Sequence, residues 1–218
     1  MPAISRFVLR GGIIRLAPRL YVSVFSFFAL AFFIMGQGVF YSAVFLSAIL
    51  IHELSHIYFL RLFKAKIDKI TIFPFGIDIF AKTLHLSYKK ELICTLAGSF
   101  ANICVSIPSF FIFGSVRHPL ILFFALCNLF LGIMNLLPLS FFDGGKAARL
   151  IIYDIFDIDK AYMIYRCFET FSGIFFLAVS AFIIKSSMFN FSVVLLVVYA
   201  SAVSLFKNTR KRKLLSSL

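Results

Sequence analysis

The chain has 218 residues, of which 61% are hydrophobic and 14% charged, with a mean hydropathy of +1.00. That makeup excludes a soluble globule and reads as a polytopic membrane protein. The formal net charge of +13 does not argue for nucleic acid, because the basic residues stand at the ends of apolar runs, where membrane topology accounts for them.

The first apolar stretch, Leu20–Met35, follows Arg6, Arg10, Arg15 and Arg19. No small-x-small site followed by a polar mature region comes after it, so it reads as an uncleaved span and not a signal peptide. Gly36-Gln37-Gly38 predicts a tight turn into the second stretch, Val39–Phe63. Next, Ile67–Ala81 alternates in part, is rich in β-branched and aromatic residues, and turns at Pro74-Phe75-Gly76. A short membrane-associated β-hairpin or re-entrant strand fits it. Leu92–Phe113 and Leu120–Leu139 are the third and fourth stretches. Gly145 to about Phe156 predicts a helix, followed by a surface turn among Asp154, Asp157 and Asp159. Phe168–Ile184 and Met188–Phe206 complete the set, and Lys207–Leu218 reads as a charge anchor at the lipid surface.

If the N-terminus is cytoplasmic, 20 of the 22 Lys and Arg fall on inside segments, leaving only Arg117 and Lys185 outside. The positive-inside rule then predicts six spans with both termini in the cytoplasm. The expected fold is an all-α polytopic membrane protein of six transmembrane helices with a short β-hairpin. It is expected to form one membrane-embedded domain over 1–218, with a core at about 39–145 and accessory spans at 20–35, 168–184 and 188–206. With 31 Phe and no Trp, the interfacial belt falls to Tyr21, Tyr41, Tyr58 and Tyr88. Cys94, Cys104, Cys127 and Cys167 show no CxxC spacing and read as small buried hydrophobes.

The second stretch carries the chemistry. Ile51-His52-Glu53-Leu54-Ser55-His56-Ile57 sets two histidines and a glutamate in apolar surroundings. Ionisable groups are costly there, so the cluster is a functional-site hypothesis by default. On a helix His52 and His56 lie one turn apart on one side, with Glu53 beside them. This is the H-E-x-x-H pattern, two zinc ligands and a general base for hydrolysis. Catalytic zinc needs a third protein ligand and an open position. His85, in a charged interfacial segment, and His118, on the expected outer side, read as solvated. Asp143 follows Pro138, which breaks the fourth stretch, and precedes Gly144-Gly145. Two readings fit Asp143 equally: a third ligand, or an interfacial turn and N-cap for the helix near Lys146.

His52-Glu53-Leu54-Ser55-His56, followed by Asn135, Pro138, Asp143 and Gly144 in the order N-x-x-P-x-x-x-x-D-G, resembles the site-2 protease family of intramembrane zinc metalloproteases (the M50 type). Gly98-Ser99-Phe100-Ala101-Asn102 resembles a further family element, and the hairpin around Gly76 is similar to one found between these motifs. The resemblance covers roughly Val39 to Gly145. It implies one Zn2+ per chain held by His52, His56 and Asp143, with Glu53 as the catalytic base. Asn102, Asn135 and Gly76 would bind substrate or organise the site. The implied partners are a membrane-tethered protein substrate, such as a transcription factor or its inhibitor, a regulatory membrane protein and the lipid bilayer. The compact plan is most similar to the sporulation sigma-factor-processing branch without its CBS domain, which suits a bacterial cell membrane with the site toward the cytoplasm. Ser99 replaces a usual proline, Ser140-Phe141-Phe142 a proline-rich approach, and Lys146 a usual arginine. Two other classes compete: a metal-ion transporter, which would carry more polar positions along several helices, and an inactive binding protein, which would not need all four of His52, Glu53, His56 and Asp143.

Overall fold

The computed structural model describes residues 13–73, 76–83, 85–139 and 142–186. The sixth expected span, the C-terminal anchor, Arg6, Arg10 and the Pro74-Phe75 turn lie outside the described residues. The elements run β1 (Ile13–Ala17), β2 (Leu20–Ser23), α1 (Val24–Gln37), α2 (Val39–Leu62), β3 (Lys66–Phe73), β4 (Gly76–Lys82), α3 (Tyr88–Val116), α4 (Pro119–Leu136), α5 (Asp143–Ile155) and α6 (Ile158–Ser186). They divide into two compact units, one ending at Met134 and one beginning at Asn135.

In the first unit, the four strands form one sheet in the order β1-β2-β3-β4. The two hairpins are antiparallel, and β2 pairs with β3 in parallel. The expected β3–β4 hairpin is present, but β1–β2 corrects the expected first span. Leu20-Tyr21-Val22-Ser23 pairs as a strand with the β-branched Ile13-Ile14 segment, and helix begins only at Val24. At 14 residues α1 rises about 21 Å, short of the ~30 Å hydrocarbon layer. Among the described residues, α2, α3 and α4 are long and apolar enough to cross a membrane. The expectation of six spans in an all-α fold is thus corrected at the first stretch, which gives a strand of a small sheet and a helix too short to span; among the described residues three helices qualify as spans. The segment 168–184 lies within α6.

The candidate spans leave Phe40, Phe111 and Phe130 exposed, a surface suited to lipid and not to water. Inward, they meet through small and polar side chains. Ala48, Ala125, Ser99, Ser106, Asn102 and Asn128 are fully buried. A Cβ on Gly132 would lie 2.7 Å from Ile103 and 2.9 Å from the Ser99 carbonyl. Close backbone approach of this kind replaces hydrophobic driving force inside a bilayer. Below the spans, Leu60, Ala65, Ile67 and Cys94 form a core, with Ile70, Ile79 and Ala81 of the sheet packed against it.

The turn out of α2 is a complete Schellman motif. Ala65 N–H donates to Leu60 O at 2.8 Å and Lys64 N–H to Arg61 O at 2.9 Å, satisfying two end carbonyls. Lys64 holds the left-handed position, at φ 60°.

In the second unit the chain leaves α4 at Leu136, two residues before Pro138, as the proline requires. Leu139 N–H bonds Leu137 O at 2.8 Å and Phe142 N–H bonds Leu139 O at 2.9 Å, which turns the chain into α5. The predicted helix after Gly145 begins two residues early, at Asp143, and is too short and too charged to span. α5 packs on α6, with Ala147 and Ala161 buried. Burial pushes the Tyr165 phenol above its ordinary value; Glu169 adds to the rise, and Arg149 opposes it.

Candidate metal centre

α2 presents His52 and His56 from successive turns, with their Nε2 atoms 3.2 Å apart. Two zinc–nitrogen bonds of about 2.0–2.1 Å at a tetrahedral angle place their nitrogens about 3.3–3.4 Å apart. The pair is therefore spaced as two corners of such a site. His52 is buried and His56 half-buried. The Nδ1 of His56 lies 2.7 Å from the Cys94 carbonyl of α3. A carbonyl can only accept, so Nδ1 carries the proton and Nε2 keeps its lone pair for a metal.

α3 runs behind the pair and gives it room. A Cβ on Gly98 would run into His56 Nε2 and fall 2.8 Å from His52 Nε2, so only glycine fits between α3 and the imidazoles. One turn along, Asn102 is fully buried, and its Nδ2 donates to Ala48 O of α2 at 3.3 Å. Cys94, Gly98 and Asn102 thus lie along one stripe of α3 against His56, His52 and Ala48.

Asp143 is the first residue of α5 and is buried. Lys146 Nζ lies 2.9 Å from its Oδ1, an ion pair one turn apart. A side chain on Gly144 would fall on the Leu136 carbonyl, so this glycine lets the start of α5 fold back on the end of α4. His52 and His56 of the first unit and Asp143 of the second are side chains of the kind that could hold a metal ion. Two imidazoles and one carboxylate fit catalytic zinc, which takes three protein ligands and keeps one position open.

Glu53 follows His52 on α2 and is half-buried. Asn135 lies in the last turn of α4, and Gly76 opens β4 opposite Phe73. His85 sits in the turn before α3, and His118 between α3 and α4, where its Nδ1 accepts from Leu120 N–H at 3.3 Å. Neither belongs to the metal group. Residue types gave no sign of the Cys94 carbonyl, because every residue carries one. The Lys146–Asp143 pair had a signal in its i,i+3 spacing.

The model of Peptidase family M50 matches residues 114–177. A zinc metalloprotease of Methanocaldococcus jannaschii is 30% identical over 127 residues, covering 55% of this chain and 37% of that protein. The chain thus spans little more than a third of the curated relative it matches. The solved site-2 protease from the same organism is 20% identical, with a TM-score of 0.62 over 90% of this chain and 91% of the other, a likeness of fold. Both comparisons of sequence thus find similarity to the M50 type of zinc metalloprotease that the His52–His56 and Asn135–Gly144 motifs resemble, and the third finds a likeness of fold.

Proposed function

We propose that the chain is an intramembrane zinc metalloprotease that hydrolyses a peptide bond in or next to a transmembrane segment of a membrane-tethered substrate. The observation that carries this reading is the histidine pair. Its Nε2 atoms stand at a tetrahedral-edge distance, and a backbone carbonyl fixes one imidazole as a metal-binding tautomer. Asp143, carried by the motif that runs from Asn135 to Gly144, would complete the protein's share.

The chemistry a zinc ion supplies in such a site is Lewis acidity, toward water and toward the scissile carbonyl. The remaining work falls to this chain. Glu53, adjacent to His52, takes a proton from the attacking water and returns it to the leaving amine. Asp143 is held at Oδ1 by Lys146, which orients the carboxylate. Gly98 keeps α3 clear of the imidazoles, and Asn102 ties α3 to α2 one turn further on. A substrate helix must unwind before cleavage, since its carbonyls are otherwise engaged in backbone hydrogen bonds. β4 lies at an edge of the sheet and could take up the unwound segment by strand addition.

The distribution of Lys and Arg supports a multi-pass chain with cytoplasmic termini and a site near the cytoplasmic face, and the compact plan suits a bacterial cell membrane. A transcription factor or its inhibitor suits such a site as substrate, with a second membrane protein as regulator. The test is cleavage of a reconstituted membrane-tethered substrate with zinc, comparing wild type with Glu53→Gln. Equal cleavage by both proteins sinks the mechanism.

A further inference from the structure

The sheet hangs from one end of the candidate span α2. β2 runs straight into α1 at Ser23–Val24, and α2 is followed by β3 after a three-residue connection. That position is where hydrocarbon gives way to headgroups. One face of the sheet is apolar, with Ile70, Ile79 and Ala81 packed toward Leu60. The other carries charge. Arg15 pairs with Tyr21 across β1–β2, and Tyr21 with Thr71 across β2–β3. Lys69 lies two residues before Thr71 on that face, its Nζ 4.7 Å from the centre of the Tyr21 ring. The Arg15 guanidinium carbon lies 6.0 Å from the same ring. Arg15 is held in place, its Nε donating to Ala17 O at 3.3 Å and its Nη2 to Pro18 O at 3.0 Å.

We propose that Arg15, Tyr21 and Lys69 form a binding site for the phosphate of an anionic phospholipid. Two cations held on one aromatic ring present guanidinium and ammonium donors, and the tyrosine hydroxyl adds a third. Both cations are exposed, so the cation–π contacts position them without neutralising them. Lys66 and Lys82 are paired across β3–β4 on the same face and extend the positive field. Asp78 opposes it, and Asp68 offsets Lys82 at 3.4 Å. Phe80, opposite Lys69 in the ladder, is 63% exposed. An exposed phenylalanine among cations suits a ligand with an acyl chain beside its phosphate, and so a lipid over a free anion. The proposal stands apart from the proteolytic reading.

The experiment uses the full chain in phosphatidylcholine nanodiscs titrated with phosphatidylglycerol, with retained lipid counted by native mass spectrometry. Arg15→Gln and Lys69→Gln are each expected to lower phosphatidylglycerol retention about fivefold, the weight of one basic residue near an anionic surface. Lys89→Gln, which removes an exposed charge outside the triad, is expected to leave it unchanged. Arg15→Lys keeps the charge and is expected to retain most of the lipid, which separates lost binding from lost folding. Equal loss in Lys89→Gln would show a diffuse field and overturn the site. So would equal retention of phosphatidylcholine, or displacement of the lipid by inorganic phosphate at the same concentration.

Discussion

The Nδ1–H of His56 donates to the main-chain carbonyl of Cys94 at 2.7 Å, binding the second histidine of α2 to the backbone of α3. Because the acceptor is backbone, the thiol is dispensable for the metal. Cys94→Ala is expected to keep zinc affinity within about threefold, although loss of a buried sulfur costs on the order of 1 kcal/mol of stability. Zinc titration and thermal unfolding, measured on the same preparation, separate the two effects. A tenfold fall in zinc affinity would place the acceptor on the side chain.

Gly98→Ala tests the space behind the imidazoles. In an ordinary helix the change gains about 1 kcal/mol from propensity. Here the new methyl group meets His56 Nε2 and His52 Nε2. Zinc affinity is expected to fall about tenfold or more, the scale of displaced ligand geometry. The metal-free protein should lose less stability than the zinc-loaded one. A variant that binds zinc as wild type does would show that α3 lies further from the pair.

The proposed metal ligands and base stand out in the sequence because chemistry restricts such roles to few residue types at fixed helical spacing. His52 and His56 needed only the i,i+4 rule, and Asp143 needed the pattern around Pro138. The hairpin at Lys66–Lys82 was legible from its alternation. β1–β2 was not, since Leu20-Tyr21-Val22-Ser23 reads equally as the start of an apolar helix. What decides it is pairing with β3, fifty residues away at Ile70–Ile72, which no local pattern contains. The contacts of Gly98 with both imidazoles were hidden for the same reason: they depend on how α3 lies against α2.

Asp143→Ala removes the carboxylate from the proposed ligand group. Ligands that bind only the folded state stabilise it by about 2.7 kcal/mol at a hundred times their dissociation constant. Zinc is therefore expected to raise the unfolding temperature of wild type by several degrees and that of Asp143→Ala hardly at all. Lys146→Gln keeps the proposed ligand but removes the ion pair at Oδ1, and should weaken zinc by a smaller factor, about tenfold at most. The same zinc shift in Asp143→Ala as in wild type would remove Asp143 from the site.

Glu53→Gln keeps the shape of the side chain and deletes its base. Losing a positioned base lowers the rate about 10²- to 10⁴-fold, while zinc content should stay at the wild-type level because Glu53 is not in the ligand group. Metal analysis of the purified variant checks this directly. A variant that loses both zinc and activity would make Glu53 a structural support of the centre.

Lys64 occupies the left-handed position of the turn that ends α2, at φ 60°. A side chain there crowds its own carbonyl, at about 1–2 kcal/mol, and glycine escapes that penalty. Lys64→Gly is therefore expected to stabilise the protein by about 1 kcal/mol in detergent, read as a higher unfolding midpoint. Lys64→Ala keeps the Cβ and removes the charge, so it should leave the midpoint where it is. If alanine raises it as much as glycine does, relief of repulsion among Arg61, Lys64 and Lys66 is the cause, and backbone strain is not.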